Sequence, residues 1–303
     1  MWAGAELLIR FSSTLARSMG VSPVIIGLTI VSIGTSLPEF VVSLIAAIQN
    51  TMGISIGNII GSNIANICLI LGLGALISDL RVKRSWVTKE VPVMLGATFI
   101  FIFFARTGYY ISRIEGLILL LFLIIFLFYL SRISIHQIQE FSKNQTGEKN
   151  LTLRRKLLYS LLAILGIVIL IAGSKFTVDS GTFLASSMGV SDTVIGLTIV
   201  AVGTSLPELA TTVVGVFQKE TDIVVGNVIG SNIFNLLFIG GSVSSIKPVQ
   251  VDSSLFQIEF IFLVIASVAI WPMMRIQWNV HRYEGFILLI FYISFILITF
   301  TAS

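Results

Sequence analysis

The chain has 303 residues, of which 55% are hydrophobic and only 11% charged, and its mean hydropathy is +0.99. A soluble domain carries roughly 25% charged residues, so 19 Lys and Arg with 15 Asp and Glu cannot cover a soluble globule of this size, and the chain must use lipid as its solvent. Cys68, the only cysteine, excludes a disulfide scaffold, and a net charge of +4 is too small to argue for nucleic acid.

Bilayer spans need roughly 20 apolar residues each. A shorter apolar stretch, 1–17, comes first, and spans are predicted at 22–49, 54–78, 86–105, 112–131, 157–186, 191–218, 223–246, 254–273 and 283–301. The segment 132–156, RISIHQIQEFSKNQTGEKNLTLRRK, is long and polar and reads as an unfolded linker. Its sequons at Asn144 and Asn150 carry little weight in a cytoplasmic loop. No basic n-region or clean cleavage site opens the chain, so no cleavable signal peptide is predicted. If the N-terminus lies outside and ten segments alternate, the cytoplasmic connections hold Arg81, Lys83, Arg84, the basic residues of 132–156, Lys219, Arg275 and Arg282. The outer ones hold only Arg106, Arg113 and Lys247, a bias that predicts both termini outside the cell membrane.

The chain repeats itself at an offset of 169 residues. SMGVS at 18–22 recurs at 187–191, IGLTIV at 26–31 recurs at 195–200, GTSLPE at 34–39 recurs at 203–208, and IGSNI at 60–64 recurs at 229–233. Glu90 matches Glu259, and R-I-E-G ending at Gly116 matches R-Y-E-G ending at Gly285. The predicted organisation is a first five-helix repeat over 1–131, a cytoplasmic linker over 132–156 and a second repeat over 157–303. Five spans per half force opposite orientations, the plan that places transporter substrate sites near the midplane. The fold class is therefore an all-α polytopic membrane protein of ten helices in two inverted repeats. One asymmetry remains. The apolar run 157–171 precedes Ala172-Gly173, but only Met1 and Trp2 precede the matching Ala3-Gly4, so the first helix is either short or begins upstream of Met1.

Within GTSLPE, Pro38 has no N–H and clashes with the carbonyl one turn back, so the helix breaks there. The Gly34 and Thr35 carbonyls lose their regular partners, Ser36 adds a hydroxyl, and Glu39 adds a carboxylate at a depth where a lone charge costs several kcal/mol. Freed carbonyls persist in lipid only beside protein or a water-lined cavity. The second copy supplies Thr204, Ser205 and Glu208. Downstream, Ser62 and Asn66 are four apart and share a helix face, as do Ser231 and Asn235. Together these donors are hard oxygens, which suit Ca²⁺ with its 6–8 ligands, or several Na⁺ ions in its place. Packing alone would account for small residues and for single Ser or Asn groups; it does not require a carboxylate at the same place in both halves.

Other polar residues have simpler readings. Asn58, Asn63, Asn227 and Asn232 read as helix-packing groups, and Glu90, Glu115, Glu259 and Glu284 as caps or partners of Lys89, Arg113 and Arg282. Glu6 and Asp179 read as interfacial, Cys68 as a small packing residue, and His136 and His281 as solvated loop residues.

With GTSLPE in both halves, followed by GNIIGSNIAN and GNVIGSNIFN, the sequence resembles the sodium/calcium exchanger branch of the cation/Ca²⁺ exchanger superfamily. The resemblance implies a Na⁺/Ca²⁺ antiporter, electrogenic and functional as a monomer, with no cofactor. In it the first helix of each half would slide across a rigid core. It implies ion ligands at Glu39, Glu208, Ser36, Ser205, Ser62, Ser231, Asn66 and Asn235, with the carbonyls of Thr35 and Thr204 and, for an outer Na⁺, those of Ser32 and Ala201. Many relatives carry Asp where this chain has Asn66 and Asn235, which argues against K⁺ dependence and against proton coupling through that pair. An H⁺/Ca²⁺ exchanger is the nearest alternative and a cation channel a more distant one. An intramembrane hydrolase using Ser36 or Ser205 lacks a placed histidine.

Overall fold

A computed structural model describes residues 1–144, 151–188 and 200–302. Apart from a short helical turn at Arg84–Thr88 that leads into α5, its α-helices in chain order are α1 (Trp2–Met19), α2 (Pro23–Thr35), α3 (Leu37–Ile48), α4 (Met52–Ile77), α5 (Glu90–Arg106), α6 (Arg113–Asn144), α7 (Leu153–Ser187), α8 (Ala201–Thr204), α9 (Leu206–Phe217), α10 (Thr221–Ile246), α11 (Glu259–Arg275) and α12 (Arg282–Ala302). Seven described helices are long and apolar enough to cross a membrane, and α2 with α3, bent by 44° at Ser36, makes an eighth span. The short α1 and the α8–α9 segment complete the predicted order, although residues 189–199, at the start of the predicted span 191–218, lie outside the described residues.

The layers follow from hydropathy. Helices α4 and α10, which carry the Ser and Asn motifs, form the centre: the apolar window of α10 is 94% buried, against 22% for α7. The outer helices turn Ile114, Leu161, Phe176 and Leu297 outward, an arrangement that suits lipid rather than water. Helices α1 and α7 pack Ala5, Leu8 and Ile9 against Ala163 and Leu170 in a second, smaller apolar cluster, which also takes in Val31 of α2, Val214 of α9 and Ile223 of α10. Where they cross, a Cβ on Gly166 would stand 2.6 Å from the Gly4 carbonyl oxygen, so the two backbones touch. The same device joins the halves. A Cβ on Gly285 of α12 would meet the Gly72 carbonyl oxygen of α4 at 2.6 Å, and one on Gly116 of α6 would meet the Gly241 carbonyl oxygen of α10 at 2.8 Å.

Four two-residue strands were not expected in an all-α chain. β1 (Leu80–Arg81) pairs antiparallel with β4 (Asn279–Val280), and β2 (Tyr110–Ile111) with β3 (Val249–Gln250). The registers, Leu80↔Val280 and Ile111↔Val249, map onto each other through the repeat. β1 and β2 lie at opposite ends of α5. If both halves ran the same way through the membrane, β1 would lie beside its own counterpart β3 and could not reach β4. The observed pairing therefore requires the halves to be opposed.

Three sequence expectations are corrected. The segment 132–156 is not uniformly unfolded: α6 runs on through Asn144 and α7 starts at Leu153, because 132–144 contains no glycine or proline to stop the helix. His136 thus sits exposed on α6 rather than in a loop. His281 does lie in a loop but is only partly exposed: its Nδ1 lies 3.7 Å from Asp79 Oδ2 and its ring stacks on Tyr283. Glu115 and Glu284 do cap helices, accepting the backbone N–H of Ser112 at 2.7 Å and of His281 at 2.8 Å. Glu6 and Asp179 are exposed on α1 and α7, and Cys68 is fully buried. Glu90 is buried with one carboxylate oxygen lacking a partner, so burial, not capping, dominates its setting.

Candidate ion site

The site grows from two broken helices and two unbroken ones. Ser36 (φ −85°, ψ 5°) and Ser205 (φ −87°, ψ 6°) sit at the breaks, and Pro38 and Pro207 fall in the first turn of the helices that follow. Proline suits a first turn, where no N–H is required. Glu39 and Glu208 therefore project from the first turns of α3 and α9, and both are completely buried. The carbonyl freed by Pro207, that of Gly203, accepts the hydroxyl of Ser174 on α7 at 2.6 Å.

The two breaks bond across the repeat. Ser36 Oγ donates to Glu208 Oε1 at 3.0 Å, and Ser205 Oγ donates to Glu39 Oε1 at 3.1 Å. Each carboxylate thus has one oxygen held by the opposite half, while Oε2 of each has no partner. No Lys, Arg or His pairs with either among the described residues. Two buried carboxylates without a countercharge are costly to hold, and a cation between them would offset that cost.

Helices α4 and α10 bring the remaining donors. Ser62, Asn66, Ser231 and Asn235 are all buried. Asn235 Nδ2 donates to Ser62 Oγ at 3.0 Å, whereas the matched pair makes no such bond: both amide atoms of Asn66 and the hydroxyl of Ser231 lack partners, as does Asn235 Oδ1. At these asparagines the helices widen into π-helical turns, Ala65–Leu71 and Asn235–Ile239. Such turns often mark functional positions, and no residue pattern in the chain announces them. Thr35, Ser32 and Thr204 are buried beside the breaks, and the Ser32 carbonyl already accepts the Ser36 N–H at 3.0 Å. Ala201 opens α8, with its side chain outside the described residues. Among the described residues no three of His, Cys, Asp and Glu converge on one point. The donor set is therefore two carboxylates and a shell of neutral oxygens, which suits an alkali or alkaline-earth cation rather than a soft metal.

Asn58 and Asn227, read from sequence as packing groups, reach further. Asn58 Nδ2 donates to the Glu39 carbonyl at 3.0 Å and to Ser43 Oγ at 2.8 Å. Asn63 and Asn232 bond within their own helices, to the Ile59 and Val228 carbonyls.

A sequence profile described as sodium/calcium exchanger protein matches residues 1–132 and 158–301. The chain is 34% identical over 334 residues to sodium/calcium exchanger MaX1 of Methanosarcina acetivorans, covering 98% of this chain and 94% of that protein. It is 36% identical over 268 residues to inner membrane protein YrbG of Escherichia coli, covering 87% and 82% respectively. The structure of the sodium-calcium exchanger NCX_Mj soaked with 10 mM Na⁺ and 10 mM Sr²⁺ superposes with a TM-score of 0.82 at 32% identity, covering 98% of this chain and 93% of that one.

Proposed function

The chain belongs to the sodium/calcium exchanger protein family, and from that premise we propose that it exchanges Na⁺ for Ca²⁺ by alternating access. One observation carries the reading: two fully buried carboxylates, Glu39 and Glu208, sit at matched helix breaks, each with one oxygen unpartnered and, among the described residues, no cationic side chain paired with it. Two carboxylates balance one Ca²⁺. The surrounding hydroxyl, amide and carbonyl oxygens of Ser36, Ser205, Ser62, Ser231, Asn66, Asn235, Thr35 and Thr204 complete its shell, with Ser32 and Ala201 contributing to an outer Na⁺. If three Na⁺ replace one Ca²⁺, each cycle moves one net charge. Both loads need the same carboxylates, so the site holds one or the other, and that exclusion couples their fluxes.

The moving element is the α1–α7 pair, joined at its glycine crossing, which meets α9 and α10 through small apolar contacts at Val214 and Ile223 over which it can slide. The protein works as a monomer with both termini outside and residues 132–156 facing the cytoplasm, joining repeats 1–131 and 157–303. A Thr146→Cys variant tests this orientation, since Cys68, the only native thiol, is buried. An impermeant maleimide should label it only from the cytoplasmic side.

The deciding experiment reconstitutes the full chain in liposomes loaded with Na⁺ and follows radiocalcium uptake. Uptake driven by the outward Na⁺ gradient, and steered by an imposed membrane potential, is the expected result. Uptake that ignores the Na⁺ gradient and follows a pH gradient assigns the protein to H⁺/Ca²⁺ exchange. Single-channel currents would assign it to a channel.

A further inference from the structure

Ser36 and Ser205 can reach the opposite carboxylates only if the two helix breaks are held at a fixed spacing. The groups that hold them are on the unbroken helices. Asn58 of α4 and Asn227 of α10 occupy matched places, 6% and 1% exposed. Each amide faces both halves. Asn58 donates to the Glu39 carbonyl and Ser43 in its own half, and its Oδ1 accepts from Thr204 Oγ1 of the other half at 3.3 Å. Asn227 donates to Thr211 Oγ1 of its own half at 3.2 Å, and its Oδ1 lies 3.3 Å from Thr35 Oγ1 of the other, a hydroxyl whose single proton it shares with the Val31 carbonyl at 3.0 Å. Thr35 and Thr204 directly precede the serines at the breaks.

We propose that Asn58 and Asn227 are positioning residues, each fixing the helix break of the opposite half so that both carboxylates meet one ion. The assignment rests on the exchanger reading. An amide meets the requirement because it carries a donor and an acceptor on one planar group. A carboxylate there would supply no donor and would add a third buried charge, and an aliphatic residue would leave the partner groups unpaired. The cross-half bonds, from Thr204 to Asn58 and from Thr35 to Asn227, recur in both halves, whereas the own-half partners differ, Asn227 reaching Thr211 rather than Thr212, the match of Ser43.

The test is a set of double-mutant cycles read in Ca²⁺ affinity, by calorimetry on the purified full chain in detergent. Asn58→Ala, Asn227→Ala, Thr35→Val and Thr204→Val are each expected to weaken Ca²⁺ binding about tenfold. The cross-half pairs, Asn58→Ala with Thr204→Val and Asn227→Ala with Thr35→Val, should bind no more weakly than the worse single variant. The same-half pairs, Asn58→Ala with Thr35→Val and Asn227→Ala with Thr204→Val, should multiply to about a hundredfold. Asn63→Ala, which removes only a bond within its own helix, should stay within twofold of wild type. A merely structural role would lower the melting temperature of every variant without producing this cross-half pattern. If Asn58→Ala does not fold, the near-isosteric Thr204→Val and Thr35→Val, alone and with Asn227→Ala, complete one full cycle. Cross-half pairs that multiply, or an Asn227→Ala protein that binds within twofold of wild type, overturn the assignment alone. Wild-type protein that binds no Ca²⁺ overturns the exchanger reading and this assignment together.

Discussion

Replacing Glu39 by Gln keeps the volume and the acceptor that Ser205 Oγ reaches at 3.1 Å, so the break retains its shape and only the charge is lost. Two unit charges 4 Å apart at an effective dielectric near 20 interact by about 4 kcal/mol, and a divalent ion doubles this to about 8. The Gln carbonyl still faces the ion as a dipole and recovers roughly half of this. The expected net loss is therefore about 4 kcal/mol, or close to a thousandfold in the Ca²⁺ Kd. For Na⁺ both the lost Coulomb energy and the part the amide dipole recovers are half as large, so the loss is about 2 kcal/mol, or roughly thirtyfold. Calorimetric titration with each ion, on Glu39→Gln and Glu208→Gln separately, measures both numbers. A Ca²⁺ Kd that rises less than tenfold, or a Na⁺ loss greater than the Ca²⁺ loss, would refute the electrostatic reasoning, because the divalent ion must feel the missing charge more.

Gly285→Val sets a side chain 2.6 Å from the Gly72 carbonyl oxygen and should cost about 2–4 kcal/mol, read as a lower melting temperature in detergent. Gly96→Ala meets nothing within 4 Å among the described residues and should be neutral or stabilise by up to about 1 kcal/mol. Ser174→Ala strands the buried Gly203 carbonyl and should cost about 1–3 kcal/mol in the same assay. Arg17→Gln breaks the 2.6 Å ion pair with Glu220, but Arg17 is two-thirds exposed, so thermal stability should change by less than about 1 kcal/mol and become less dependent on salt.

The carboxylates were legible in the sequence because lipid leaves so few reasons to bury a charge, and the repeat marked Glu39 and Glu208 twice. The breaks were legible because Pro38 and Pro207 have no N–H to donate. The joining of the halves was not. A two-residue strand such as Leu80–Arg81 has no periodicity to detect, and its partner lies some 200 positions away at Val280. The reach of Asn58 to Thr204 was equally hidden, because asparagine in a membrane helix reads first as local packing. Ser174 escaped notice for the opposite reason: its counterpart in the first half is Ala5, so a search by repetition passes over it. The helical course of 132–144 is hidden by its polarity, which resembles that of an unfolded linker, although no glycine or proline in that stretch breaks a helix.

The two strand pairs bear on how such a chain arises. A single half carries one strand from each pair, with backbone edges that lipid or headgroups satisfy poorly. It also carries only one of the two carboxylates. A second copy of that half, inserted upside down, would satisfy both strand edges at once, because the registers Leu80↔Val280 and Ile111↔Val249 are self-complementary under the repeat. The geometry of a dual-topology homodimer is thus preserved inside one polypeptide. Fusion fixed the two copies in opposite senses, and only then could Ser174, or the one-sided bond between Asn235 and Ser62, arise in one half without being copied into the other.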